Sequence, residues 1–96
     1  MHYKVFITAN AQSNLEEIID YIKLDSKSRA QAWLKSVKDK IISLRTYPRR
    51  GRLVPEYEGE KEIREIIWGS YRIIYEIDAD RIYVLYIYHG ARLLIL

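Results

Sequence analysis

Residues 62–89 read EIREIIWGSYRIIYEIDADRIYVLYIYH, and this stretch decides the fold. It is rich in Ile, Val and Tyr, which favour extended strands. Two dipeptides, Gly69-Ser70 and Ala79-Asp80, interrupt it where two-residue hairpin turns belong. The stretch therefore predicts three consecutive antiparallel strands, over 63–68, 71–77 and 81–89.

Alternation along these strands assigns their side chains to two faces, provided that both turns have two residues. The more apolar face should contact the helices and is predicted to carry Ile66, Trp68, Tyr71, Ile73, Tyr75, Ile77, Ile82, Val84 and Tyr86. The second face is predicted to be polar, aromatic and open, with Glu65, Arg72, Glu76, Tyr83, Ile87 and His89. We expect a functional site on this second face.

The N-terminal half predicts a strand followed by two helices. Residues 2–8 alternate as in a strand, and Thr8 is a suitable N-cap. Apolar residues then recur at helical spacing, first as Ala11, Leu15, Ile18, Ile19 and Ile22, and later as Ala30, Trp33, Val37, Ile41 and Leu44. Ser26 or Ser28 should cap the second helix, which is expected to end near Thr46, before Pro48.

The remaining segments complete the expected fold class. Residues 47–61 contain both prolines and no periodicity, which predicts a loop. Residues 92–96 are a candidate edge strand; alternatively, a partner covers their apolar side chains. The order β-α-α-β-β-β(β) predicts one α+β domain over 1–96. Its N-terminal helical hairpin should pack on one face of a mostly antiparallel sheet.

Composition and charge narrow the classes of function. No apolar run is long enough to span a bilayer, no signal peptide is visible and there is no cysteine, so we expect a cytoplasmic protein without membrane contact. Residues 1–55 hold eleven Lys and Arg against five Asp and Glu. The densest basic run, Arg45, Arg49, Arg50 and Arg52, indicates a surface for nucleic acid or an acidic protein. The alternative is a solvated arginine-rich loop.

The residues offer little conventional catalytic chemistry. There is no metal-ligand cluster, nucleotide fingerprint or nucleophile motif, so no metal and no cofactor are expected. Arginines and tyrosines can bind phosphates and stack bases, and His89 could transfer a proton. Each of these functional interpretations has a structural alternative. Arg72 could simply pair with Glu65, His89 could be a hydrogen-bonded structural residue, and the tyrosines could be core material. On an open face, loss of Arg72 would mainly affect function, unless Glu65 is left buried and unpaired.

Four short motifs follow one another along the chain. They are the first-helix pattern from Ala11 to Ile22, then Ser28-x-Ala30 followed by the segment from Leu44 to Glu56 with Pro48 and Gly51-Arg52, the strand pair at 63–66 and 71–75, and the ending His89-Gly90-Ala91-Arg92. In this succession, over nearly the whole chain, they resemble the ParE/RelE toxin superfamily of type II toxin–antitoxin systems.

The resemblance implies a growth-inhibiting toxin made with a cognate acidic antitoxin that wraps and silences it, with a toxin homodimer or a toxin–antitoxin heterotetramer as the assembly. ParE-like members inhibit DNA gyrase, whereas RelE-like members enter the ribosomal A site and cut mRNA. In the RelE-like case, the catalytic residues would be Arg72, His89 and Arg92. Contacts to the target or to phosphate are expected from Arg49, Arg50, Arg52, Arg64 and Tyr83.

The end of the chain favours the ParE-like alternative. RelE-type enzymes often carry a tyrosine several residues past the last arginine, whereas only Leu and Ile follow Arg92 here. Gly51-Arg52, Tyr71-Arg72 and the ending from His89 look more like the ParE pattern. We therefore expect a gyrase inhibitor. An A-site endoribonuclease is the alternative, and an inactive binding module with the same fold is the third possibility.

Overall fold

The computed structural model describes residues 2–90. Its elements are β1 (Lys4–Ile7), α1 (Ala9–Asp25), α2 (Lys27–Ser43), β2 (Arg52–Leu53), β3 (Glu62–Trp68), β4 (Tyr71–Asp78) and β5 (Arg81–His89). The sheet has the order β1-β5-β4-β3-β2 and is antiparallel except between β1 and β5. The predicted α+β class, with a helical hairpin on a mostly antiparallel sheet, is confirmed. The candidate edge strand at 92–96 lies outside the described residues.

Polar side chains cap the N-termini of both helices at predicted positions. The Thr8 hydroxyl accepts a hydrogen bond from the Ala11 amide at 3.2 Å and donates one to the Val84 carbonyl at 2.8 Å. This cap therefore also ties the start of α1 to β5. Ser26 caps α2, because its hydroxyl accepts from the Arg29 amide at 3.2 Å.

The second helix ends three residues earlier than predicted. Its last regular residue is Ser43, and the amides of Leu44 and Arg45 donate to carbonyls only three residues back, each at 3.1 Å. Such bonds tighten the end of a helix into a 3₁₀ turn. The apolar spacing continues to Leu44, which is buried, and this is why the sequence pattern extended the helix.

The main core lies between the helical hairpin and the sheet, as predicted. The two apolar stripes pack against the sheet residues Ile66, Ile73, Tyr75, Ile77, Ile82 and Val84. Trp33 is only 9% exposed, and its ring centroid lies 6.2 Å from that of Trp68 and 5.2 Å from that of Tyr71.

The face assignment is wrong at the end of β5. Both hairpins have the predicted two-residue turns, but Tyr75 pairs with Val84 while Ile74 pairs with Tyr86, so Leu85 is an extra, bulged residue. A bulge reverses the alternation beyond it. Consequently Ile87 lies in the helix-side core, Tyr86 lies on the second face, and the His89 ring contacts Tyr71 and Tyr21 on the helix side.

The second face is also less open than predicted. Part of the expected loop at 47–61 forms β2, in which Arg52 pairs with Glu65 of β3. A two-residue strand is too short to show periodicity in the sequence. The chain after β2 then covers the sheet, and a second apolar cluster forms from Val54, Tyr57, Ile63, Ile74, Leu85, Tyr86 and Tyr88.

Candidate functional site

A buried carboxylate organises the basic end of the second face. The Glu65 side chain is 0% exposed, and each of its oxygens accepts from one arginine. Nε of Arg52 donates to Oε2 at 2.7 Å, and Nε of Arg72 donates to Oε1 at 2.8 Å. The register explains the geometry, since Arg52 is directly opposite Glu65 on β2 and Arg72 is its diagonal neighbour on β4.

Arg72 is held by a second carboxylate as well. Its Nη2 lies 3.0 Å from Oε2 of Glu56, in the segment after β2, and the Arg72 side chain is only 11% exposed. Burial lowers the pKa of Arg72, but the hydrogen bonds to Glu65 and Glu56 outweigh it, so the pKa is raised. Arg72 is therefore a fixed cation within a charged network.

Glu62 connects two further arginines of the predicted set. Arg49 donates to both of its oxygens, at 2.9 and 2.8 Å, and Nε of Arg64 donates to Oε2 at 2.7 Å. Burial raises the pKa of Glu62, but these arginines outweigh that effect and lower it. Because Glu62 and Arg64 alternate with Glu65 along β3, this second group lies on the helix side of the sheet. The name Arg–Glu cluster is used below for the group on the second face, which consists of Arg52, Arg72, Glu56 and Glu65.

A tyrosine and a glycine position the segment that carries this cluster. The buried Tyr75 hydroxyl donates to the Pro48 carbonyl at 2.6 Å and accepts from the Gly51 amide at 3.1 Å. Burial raises the pKa of Tyr75, so its hydroxyl stays protonated and can donate. Nη1 of Arg64 also donates to the Gly51 carbonyl at 2.8 Å. Thus Tyr75 and Arg64 fix the chain immediately before Arg52.

Replacement of Gly51 by alanine should disrupt this arrangement. The added Cβ would collide with the Glu65 carbonyl oxygen and would lie 2.7 Å from the Tyr75 hydroxyl oxygen. We expect a loss of at least about 1–3 kcal/mol in the free energy of unfolding, the usual cost of overpacking, in a urea titration. Gly59→Ala is the control, because the three atoms nearest its Cβ all belong to the Tyr57 side chain, which can shift more easily than a strand carbonyl. Equal stability of the two variants would contradict the packing described at Gly51.

The structure brings together only part of the predicted site. Arg52 and Arg72 join the Arg–Glu cluster, whereas Arg49 and Arg64 meet at Glu62 on the other face of the sheet. Arg50 instead donates to the Ser43 hydroxyl at 2.7 Å. Tyr83 pairs with Glu76, four residues along β4 from Arg72, which is roughly 13 Å away at strand spacing. Arg92 lies outside the described residues.

His89 is on the opposite side of the sheet from the Arg–Glu cluster. Its ring centroid is 4.8 Å from that of Tyr71 and 6.5 Å from that of Tyr21 on α1. It therefore forms part of an exposed aromatic group on the helix side of the sheet. Among the described residues, Arg72 and His89 do not form one catalytic pair.

A shallow surface cavity of about 500 Å³ lies beside the cluster and is lined by Arg52, Glu56, Tyr71, Arg72 and Gly90, among others. Arginines at its wall could bind an anionic group. The cluster contains two arginines and two glutamates, so its net charge is zero. Within residues 2–90, no group of His, Cys, Asp and Glu could hold a metal ion.

Sequence reasoning missed the acidic partners of this site. Neither Glu56 nor Glu62 was named as a site residue, because they lie outside or at the end of the predicted strands. Tyr75 was assigned to the core, and nothing in the sequence indicated that its hydroxyl would bind the backbone at 48–51. Only the Arg72–Glu65 pair was anticipated, as the structural alternative for Arg72.

The comparison with protein families identifies the family of this chain. A family model described as "ParE toxin of type II toxin-antitoxin system, parDE" matches residues 5–94. The chain belongs to the ParE toxin family. No curated protein matches the chain. In this ParE-family toxin, no helix within the described part of the chain is long and apolar enough to cross a membrane.

Solved structures share the fold of this ParE-family chain. One, titled a chromosomal ParDE toxin–antitoxin system from P. aeruginosa, has a TM-score of 0.73 and 16% identity, over 93% of this chain and 97% of that one. Another, titled the RelBE2 toxin–antitoxin complex from Mycobacterium tuberculosis, has a TM-score of 0.67 and 22% identity, over 93% and 99%. At these identities the likeness shows a shared fold and nothing more. The structures titled ParDE and RelBE2 both have this fold.

Proposed function

We propose that this ParE-family toxin inhibits DNA gyrase through a protein–protein contact and that a cognate acidic antitoxin neutralises it. The separation of Arg72 from His89 is the observation that carries the proposal. Cleavage of RNA at its 2′-hydroxyl needs a cation at the phosphate and a proton-transfer group within hydrogen-bond reach of the same substrate. Here the two side chains lie on opposite faces of the sheet.

The charge of the Arg–Glu cluster supports the same conclusion. Arg72 is bound to Glu65 and Glu56, and Arg52 is bound to Glu65. A phosphate would have to compete with these carboxylates. A surface that acts by binding another protein does not require such a free cationic pocket.

An acidic antitoxin fits the charge distribution of the chain. Residues 1–55 carry an excess of six positive charges, from eleven basic and five acidic residues. Complementary charge steers partners together and selects against wrong ones. The two structural neighbours are titled as toxin–antitoxin systems, which supports such a partner for this toxin.

Expression in a tightly controlled bacterial host tests this proposal. We expect fewer colonies after induction, with relaxed plasmid DNA and intact mRNA, and recovery when the antitoxin is co-expressed. The control is the same gene with an early stop codon. Normal growth with soluble, folded toxin would contradict the toxin activity in that host. Cut mRNA with normally supercoiled plasmid would instead support the ribosome-dependent endoribonuclease.

A further inference from the structure

An exposed aromatic patch lies on the helix side of the sheet, where α1 passes the start of β4 and the end of β5. Its rings belong to Tyr21, Tyr71 and His89, and the His89 ring contacts both tyrosines. The Asn14 side chain holds α1 in this place, because its Oδ1 accepts from the Ile87 amide at 3.1 Å. The three rings are therefore brought together by contacts between the helix and the sheet.

Two surface cavities adjoin the patch, and all three rings line both of them. The smaller, which we call the Glu17 cavity, has a volume of about 260 Å³ and is otherwise lined by Glu17 and Ile18. The larger has a volume of about 420 Å³ and extends past Leu24 to Asp25 and Arg29. Among the described residues, Glu17 is the only acidic side chain at the smaller cavity.

Helical spacing places two carboxylates beside one of these rings. Glu17, Tyr21 and Asp25 are four residues apart along α1, so their side chains lie on one face in successive turns. Within residues 2–90, neither Glu17 nor Asp25 has an ion-pair partner. This face of α1 therefore presents unpaired negative charge on both sides of an aromatic ring.

The apolar side chains at this end of α1 are also unusually exposed. Leu24 is 85% exposed and Tyr21 is 69% exposed, the two highest values among the large apolar residues of the described chain. Tyrosine contributes strongly to protein interfaces, because it combines a large ring with a hydroxyl that can form a hydrogen bond. Two such neighbours, three residues apart on a helix, indicate a contact surface for another protein.

We propose that the Glu17 cavity binds an arginine side chain of the protein that the toxin inhibits. A guanidinium stacks on aromatic faces and forms paired hydrogen bonds to a carboxylate. Tyr21 and Glu17 offer these two groups one helical turn apart, and Tyr71 supplies a second ring. The source that we assign to the arginine is DNA gyrase, and in that assignment the inference rests on the proposed function.

Other ligands fit the Glu17 cavity less well. A phosphate or a carboxylate would be repelled by the unpaired charge of Glu17, and this also disfavours the acidic antitoxin as the occupant. An apolar side chain would bury that carboxylate without a partner, which is costly. Lysine carries the required charge, but it lacks the planar fork that matches a carboxylate. An arginine satisfies the carboxylate and the rings together.

Binding of short peptides to the purified full chain tests the chemistry of the cavity. The probe is a capped Gly-Arg-Gly peptide. In the two controls, lysine or citrulline, which is neutral and similar in shape, replaces the arginine. We expect the arginine peptide to bind about tenfold more tightly than the citrulline peptide, with the lysine peptide between them, because only arginine has both the charge and the fork. The NMR signals of Glu17, Tyr21 and Tyr71 should shift.

Two exposed positions allow substitutions that leave the core intact. Glu17→Gln removes the charge at nearly constant shape, and Tyr21→Ala removes the exposed ring. Each should weaken the arginine peptide about tenfold at a nearly unchanged melting temperature. The matched controls are Glu16→Gln, on the same helix, and Tyr47→Ala, a tyrosine of similar exposure. Neither control residue lines the two cavities, so both variants should bind the peptide like the wild type.

Inhibition of gyrase connects the cavity with the proposed target. Glu17→Gln and Tyr21→Ala should each require about tenfold more toxin for half-inhibition of supercoiling, because both remove a group that anchors the partner's arginine. Glu16→Gln and Tyr47→Ala should inhibit like the wild type. The melting temperatures of all four variants show whether a loss of inhibition reflects binding or unfolding.

Several results would overturn the inference. Equal binding of the arginine and citrulline peptides would exclude a charged contact in the cavity. Full gyrase inhibition by both cavity variants would exclude gyrase as the source of the arginine. Cavity variants that inhibit gyrase normally but escape neutralisation would make the antitoxin the occupant. If the wild-type toxin selects the arginine peptide but does not inhibit gyrase, the arginine site is supported and only the proposed target is rejected.

Discussion

Replacement of Trp33 by alanine should reduce the free energy of unfolding by about 3–5 kcal/mol, as is typical when a large buried aromatic side chain is truncated. Trp33 is 9% exposed and lies between the helices and the sheet, beside the rings of Trp68 and Tyr71. A domain of this size has a total stability on the order of 5–15 kcal/mol. The alanine variant should therefore be largely unfolded in mild urea.

A phenylalanine variant serves as the control for this position. Within the described structure, the Trp33 indole Nε1 is buried without a hydrogen-bond partner, so Trp33→Phe removes no hydrogen bond. It keeps an aromatic ring in the stack and should lose clearly less stability than Trp33→Ala. Urea midpoints of the three proteins check the order. An alanine variant within about 1 kcal/mol of the wild type would contradict a core position for Trp33.

Replacement of Arg72 by alanine should also destabilise the fold, by up to about 3–5 kcal/mol, because it leaves a buried carboxylate without one of its partners. Glu65 is fully buried, and Arg72 contacts its Oε1, while Arg52 remains on Oε2. The remaining arginine should keep the loss toward the lower end of this range. Had Glu65 been exposed, the same substitution would have had little effect on stability.

A second substitution tests whether the incompletely paired charge of Glu65 causes this loss of stability. In the Arg72→Ala background, Glu65→Gln removes the incompletely paired charge and should recover part of the lost stability. In the wild-type background, Glu65→Gln should instead be destabilising, since both arginines lose their carboxylate. Denaturant titrations of the four proteins complete a double-mutant cycle. If Glu65→Gln has the same effect in both backgrounds, the two side chains are not coupled.

The sequence was sufficient for most of the architecture. Helical spacing from Ala11 and from Ala30 predicted both helices and their buried faces. Thr8 was the predicted cap of the first helix, and Ser26 was one of the two candidates for the second. The two-residue turns at 69–70 and 79–80 were also correct. These features are local, so residue pattern and capping chemistry determine them.

The features that the sequence did not predict depend on pairing between distant segments. The bulge at Leu85 lies within a run of apolar residues, where alternation cannot distinguish the two faces. Strand β2 exists because Arg52 pairs with Glu65, and Tyr75 holds the chain beside it. The arginines of the site were identified from the sequence, but Glu56 and Glu62, which bind them, were not. These contacts also join segments that are distant in the sequence.

The most direct test of the account titrates the purified toxin into two assays in parallel, ATP-dependent supercoiling by gyrase and mapping of RNA ends on programmed ribosomes. The account predicts that supercoiling decreases as toxin is added, while no new RNA ends appear at the A site. Cleavage at the A site that Arg72→Ala abolishes in a still-folded protein, with supercoiling unaffected, would contradict the account and identify an endoribonuclease.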